Sequence, residues 1–226
     1  MKRLSVFTAA MLLMVISLCG CGQTNSNAEL SSEPIVSKSD PAQENPDQNK
    51  ILIAYFTWAE NAEGDPDVDA VATASVSLPG NVGQMASWIQ AEVGGNLFSI
   101  QVNEPYSADY DECLDRASKE KSQKSRPALK NRVNNFEEYD IIFIGYPNWW
   151  YTAPMAVFSF LEEYDFSGKR VVLFCSHGTG GLASSVRDIT AALPDSTVES
   201  NVIGVYRDDI SKSRDTVKEW LNKIGF

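Results

Sequence analysis

From residue 50 onward the chain alternates short, continuous apolar runs with longer segments whose apolar residues recur at helical spacing. The runs predict strands at Ile51–Phe56, Asn96–Val102, Tyr139–Gly145, Arg170–Cys175 and Thr197–Val205. The helical spacing predicts helices over about Val82–Val93, Asp109–Lys124, a segment from after Thr152 to Glu163, Leu182–Leu193 and Ser211–Ile224. In the first of these, Met85, Ala86, Ile89 and Val93 share one face. Strands apolar on both sides and alternating with helices predict an α/β fold: a three-layer, doubly wound, five-stranded parallel sheet covered on both faces. Five strands and five helices fit the order 2-1-3-4-5. In that order a ligand sits beyond the carboxyl ends of strands 1 and 3.

The first 49 residues follow neither pattern. Lys2 and Arg3 precede an apolar stretch, Leu4–Leu18, that is short for a membrane span, and Leu18-Cys19-Gly20-Cys21 follows. This predicts a secretory signal over residues 1–20. Its ending resembles a bacterial lipoprotein signal, which implies lipidation at Cys21; an ordinary cleaved signal with an incidental cysteine is the alternative. Residues 21–49 are rich in Ser, Asn, Gln, Glu, Asp and Pro and hold too few large apolar side chains to order themselves, so they read as a tether. The folded domain is then 50–226, with a membrane reached through a lipid anchor alone.

A formal charge of −11 disfavours nucleic acid and electrostatic binding to an anionic bilayer. It suits small-molecule chemistry or docking on a basic protein. Four cysteines, two of them within Cys19–Cys21, make no disulfide framework. Cys113 falls on a predicted helix. Cys175 ends a strand and reads as a small buried residue, with a redox thiol as the alternative.

Candidate chemistry collects at three strand ends. Strand 1 leads into Thr57 and Trp58, strand 3 into Pro147-Asn148-Trp149-Trp150-Tyr151, and strand 4 into Ser176-His177-Gly178-Thr179-Gly180-Gly181. The first offers a hydroxyl. The second offers aromatic faces on which a flat ring can stack, with Trp149 the first choice. Glycines in the third let backbone N–H groups approach a ligand edge closely. Between strand 1 and helix 1 lies an insert, residues 59–80, read as a partly ordered flap. Asp65, Asp67 and Asp69 within it lack the glycine and distal glutamate of a calcium loop and read as a solvated turn, so no metal site is expected.

These segments, together with the Asp165-Phe-Ser-Gly-Lys169 turn, resemble the flavodoxin family over most of the domain. The resemblance implies a flavodoxin-like sheet, non-covalently bound FMN and electron transfer. It also implies a phosphate loop after strand 1, in which hydroxyls and helix N-terminal N–H groups hold the phosphate. Here Ala59, Glu60 and the insert interrupt that loop. It resumes as Gly80-Asn81-Val82-Gly83, where Asn81 matches the family asparagine and Val82 lacks a hydroxyl. Glu60 would repel a phosphate and is expected to face solvent. His177, the single histidine, is either a hydrogen-bond or proton donor to a reduced flavin or a solvated loop residue.

Three functional readings stay open: an exported FMN-dependent electron carrier, an NAD(P)H- or quinone-linked FMN reductase, and a cofactor-free binding lipoprotein. No nucleophile–base pair or Walker loop supports hydrolase or NTPase chemistry. Lys2-Arg3 is not a twin-arginine start, so export is expected before flavin is acquired.

Overall fold

The computed structural model describes residues 50–63 and 78–226. The predicted signal, the tether, and Asp65, Asp67 and Asp69 lie outside the described residues. The elements are β1 (Ile51–Tyr55), α1 (Gly80–Val93), β2 (Asn96–Ser99), α2 (Tyr110–Gln123), β3 (Ile141–Pro147), α3 (Met155–Glu163), β4 (Arg170–His177), α4 (Ser185–Ala192), β5 (Thr197–Val198), β6 (Ile203–Tyr206) and α5 (Arg214–Lys223). All pairings are parallel and run β2-β1-β3-β4-β5, with β6 also on β4.

Alternation along the strands sends successive side chains to opposite faces. Leu52, Ala54, Ile142, Ile144, Leu173 and Cys175 form one core with residues of α2, α3 and α4. Ile51, Ile53, Phe143, Val172 and Phe174 form the other with α1 and α5. Fully burying one such side chain is worth about 1.5–3 kcal/mol, so both faces are committed to packing. The strand ends alone remain for chemistry.

The boundaries shift for identifiable reasons. The predicted fifth strand is two pieces. From Val171 to Phe174 is three steps along β4, against five from Val198 to Ile203 on its neighbour, so two residues bulge out. The Trp220 indole donates to the Asn201 carbonyl within that bulge at 2.8 Å. β2 ends at Ser99, before the predicted Val102. Beyond it, the Asn61 side chain donates to the Ile100 carbonyl (3.0 Å) and accepts from Val102 N–H (2.8 Å), drawing the chain off the ladder. β3 and β4 run on to Pro147 and His177, paired Tyr146 with Cys175 and Pro147 with Ser176. Helix α4 starts later than predicted because Gly181 and Ala183 hold positive φ, 59° and 44°.

Candidate functional site

Residues at the carboxyl ends of β1, β3 and β4 converge on one cavity of about 340 Å³. Of the residues singled out by sequence, Trp58, Pro147, Asn148, Trp149, Trp150, Ser176, His177, Gly178, Thr179 and Gly180 line it. Register explains the meeting of the last two loops. Pro147 pairs with Ser176, and Asn148 N–H then donates to the Ser176 carbonyl at 2.8 Å, so both loops leave the sheet side by side.

Trp149 is held by an aromatic cage. Phe56, Tyr106 and Trp58 meet it edge-to-face at centroid distances of 5.4, 5.2 and 6.4 Å. The Trp58 indole donates to the Ser107 carbonyl at 3.2 Å. Trp149 and Thr152 exchange both backbone hydrogen bonds, which closes a tight turn with Trp150 and Tyr151 at positive φ, 49° and 67°. These two aromatics are exposed. The Trp150 indole donates to the Leu114 carbonyl at 2.9 Å, and the Tyr151 ring lies against Gly180. A Cβ on Gly180 would stand 3.4 Å from that ring. The turn is tied down from α4. Thr152 Oγ1 donates to Asp188 Oδ2 at 2.9 Å, and the Ser184 hydroxyl lies within 2.8 Å of both the Tyr151 carbonyl and the same carboxylate. Burial pushes the Asp188 carboxyl up, but hydrogen bonds from Ser184, Arg187 and Thr152 outweigh it and hold the group below its ordinary value.

The glycine loop has a different character. His177 Nδ1–H donates to the Gly178 carbonyl at 2.8 Å, and the ring covers Gly204 and meets Tyr206 edge-on. A neutral imidazole donating at Nδ1 offers only an acceptor at Nε2, and Nε2 lies over Gly204. Asn148 donates through Nδ2 to the Gly181 carbonyl, while its Oδ1 is buried with no partner.

Thr57, Asn81, Val82 and Gly83 do not line the cavity. All four are buried, and Val82 packs in the core shared with α1 and α5. The two halves of the interrupted loop nevertheless meet. Gly80, at φ 71°, abuts Thr57 so closely that a Cβ there would stand 2.1 Å from Thr57 Oγ1. Only glycine fits that position. Residues 64–77, which would complete the loop, lie outside the described residues. Glu60 does not face solvent as expected: it accepts from the Tyr55 hydroxyl at 3.0 Å and from Ser99. Two neighbouring hydroxyls on β1 and β2 offer a carboxylate better partners than a free rotamer does. The start of the insert is firmly built, because Asn61 is buried and donates to the Thr57 carbonyl at 2.9 Å.

Tyr151, the last of the three aromatics expected at the end of strand 3, lines the cavity too; so do Tyr110, Cys113, Leu114, Ala117 and Arg207, which sequence reasoning did not assign to the site. Of these five, the first four form a wall from α2. Helical periodicity places Cys113 and Ala117 on one face but does not say what that face meets. Burial pushes the Cys113 thiol up to about 12; Arg116 draws it down and Glu120 adds to the rise. Among the described residues no cluster of His, Cys, Asp and Glu is arranged to hold a metal, and no helix is long and apolar enough to cross a membrane.

The flavodoxin family model matches residues 70–224, and the chain belongs to that family. It is similar to solved structures described as flavoproteins from Bacteroides eggerthii and Bacteroides uniformis. The first is 29% identical, covering 78% of this chain and 98% of that one, with TM-score 0.60. The second is also 29% identical, covering 77% and 98%, with TM-score 0.60. A flavoprotein in complex with FMN from Lactobacillus acidophilus shares the fold at 22% identity, 75% and 99% coverage and TM-score 0.52. No curated protein matches the sequence.

Proposed function

We propose that the chain binds FMN in this cavity and passes electrons through it. The observation that carries the reading is the junction of an aromatic turn and a glycine loop, from adjacent strand ends, around a buried acceptor that lacks a donor. A buried amide oxygen left unpaired costs about 1–3 kcal/mol, and a ring-edge N–H would relieve it at Asn148 Oδ1. Bound there, the isoalloxazine ring would supply reversible one- and two-electron chemistry. The residues themselves orient and shield. Trp149, Trp150 and Tyr151 present apolar faces, and backbone N–H groups of Gly178, Thr179 and Gly180, beyond the end of the β4 ladder, favour negative charge at a ligand edge. Thr57, Asn81, Val82 and Gly83 form the head of the expected phosphate loop.

Family membership and an FMN-bound relative of the same fold support the cofactor. Titrating the purified chain with FMN tests it: tryptophan emission should be quenched and the bound flavin should show shifted visible bands. Colourless protein at millimolar FMN, with unaltered emission, would refute it.

The apolar α2 wall, Tyr110 and Leu114 in particular, favours a second reading, a reductase that also holds NAD(P)H or a quinone over the ring. Stopped-flow mixing of the loaded chain with NADH and NADPH separates the two, because a carrier would stay oxidised. We propose further, on Leu18-Cys19-Gly20-Cys21 alone, an exported lipoprotein anchored through Cys21 at the outer face of a bacterial membrane. Cys21→Ser should release the chain from the membrane fraction.

A further inference from the structure

Arg207 follows β6 and lines the cavity beside the glycine loop, its Nη1 3.8 Å from where a Cβ on Gly178 would stand. Its Nε is buried without a hydrogen-bond partner. The nearest carboxylate oxygen in an ion pair with it, Asp208 Oδ1, lies 3.7 Å from Nε, and the Asp208 side chain is 68% exposed. That pair is long and solvated, so it leaves the guanidinium's forked donors unspent. The backbone of Arg207 is itself anchored, because Asn81 Nδ2 donates to its carbonyl at 3.4 Å. No Asp or Glu is among the described residues lining the cavity. Of the two basic side chains there, His177 is turned onto Gly204, which leaves Arg207 as the fixed positive charge. In a chain of formal charge −11, such a charge placed beside a ligand loop selects for an electron-rich ligand edge.

We infer that Arg207 is the residue that holds the electron-rich edge of the bound ring and biases the site toward the doubly reduced, anionic flavin. The inference rests on the reading that the cavity takes FMN. Reduction by a hydride donor such as a nicotinamide delivers two electrons and one hydrogen to N5, and leaves one negative charge spread over N1 and C2=O. A guanidinium at that edge is permanently charged and strengthens its hydrogen bonds as the charge develops. The site is thereby suited to two-electron exchange with a hydride donor, which selects the reductase over the single-electron carrier.

The test compares the full chain with Arg207→Met and Arg207→Lys, measuring affinity for oxidised FMN and for riboflavin, and the two-electron midpoint potential. For Arg207→Met, reduced flavin should lose 10- to 100-fold in affinity relative to oxidised flavin. That is a fall in midpoint of about 30–60 mV, at about 29.6 mV per tenfold for a two-electron couple. FMN and riboflavin should weaken alike, and Arg207→Lys should lie between Arg207→Met and the parent. An unchanged midpoint in both variants overturns the inference while leaving the flavin reading intact. A loss confined to FMN, with riboflavin unaffected, also overturns it, since Arg207 would then hold the phosphate. If the unsubstituted chain binds neither flavin, the reading and the inference fail together.

Discussion

Trp149 and Thr152 donate backbone N–H groups to each other's carbonyls, at 2.9 and 3.1 Å, and so force Trp150 and Tyr151 into the left-handed region. A two-residue turn with positive φ at both central positions favours Asn and Gly. Here it carries two aromatics, both exposed and both at the cavity. Strain of this kind persists where function retains it.

The two effects should separate on substitution. Tyr151→Asn places a residue that tolerates the left-handed region and recovers about 1 kcal/mol, a rise in Tm of about 2–4 °C for a domain of this size. Affinity for FMN should fall about 3- to 10-fold as an aromatic face is lost. Thermal denaturation and a fluorescence titration check the opposite signs; a stabilised variant with unchanged affinity would show that the strain serves no ligand.

Gly145 on β3 lies under the Phe174 ring, where an added Cβ would stand 2.2 Å from Cζ. Gly145→Ala should therefore cost about 1–3 kcal/mol by overpacking. Phe174→Leu in the same chain should recover part of that loss, because the atom that clashes is the far end of the ring. Chemical denaturation of the two single variants and the double variant measures the coupling.

Asp188 is held below its ordinary pKa by donors from the aromatic turn and α4. A depressed folded value stabilises the native state above the unfolded value of about 3.9, and that contribution is lost as pH falls through the folded value. Asp188→Asn should accordingly lower Tm at pH 7. The gap between variant and parent should close as pH drops below about 4. A gap that stays constant down to pH 2.5 would show that the carboxylate charge is not what ties the turn to α4.

Burial raises the thiols of both Cys113 and Cys175, Cys113 to about 12. In the native chain at pH 8 iodoacetamide should leave both unmodified, although Cys113 lines the cavity. In urea they should react like thiols of pKa about 8.5. Peptide mapping by mass spectrometry distinguishes the two conditions.

The aromatic turn and the glycine loop were legible because each is contiguous: Pro147-Asn148-Trp149-Trp150 and Ser176–Gly180 announce their chemistry within a few residues. Arg207 was not, since it follows an ordinary strand and gains meaning only from Gly178, far away in the chain. Glu60 misled for the same reason, because the hydroxyls that take it up belong to Tyr55 and to the distant Ser99.

What the chain by itself determined is the layered α/β fold and the three strand ends that meet at one cavity. Apolar periodicity leaves few other ways to bury these strands. Tertiary structure decided the rest: the bulge between β5 and β6, the α2 wall, the outward aromatics of the turn, and the cation beside the glycine loop. Those features depend on which distant strand and helix ends become neighbours, and local propensity along a chain does not encode neighbours.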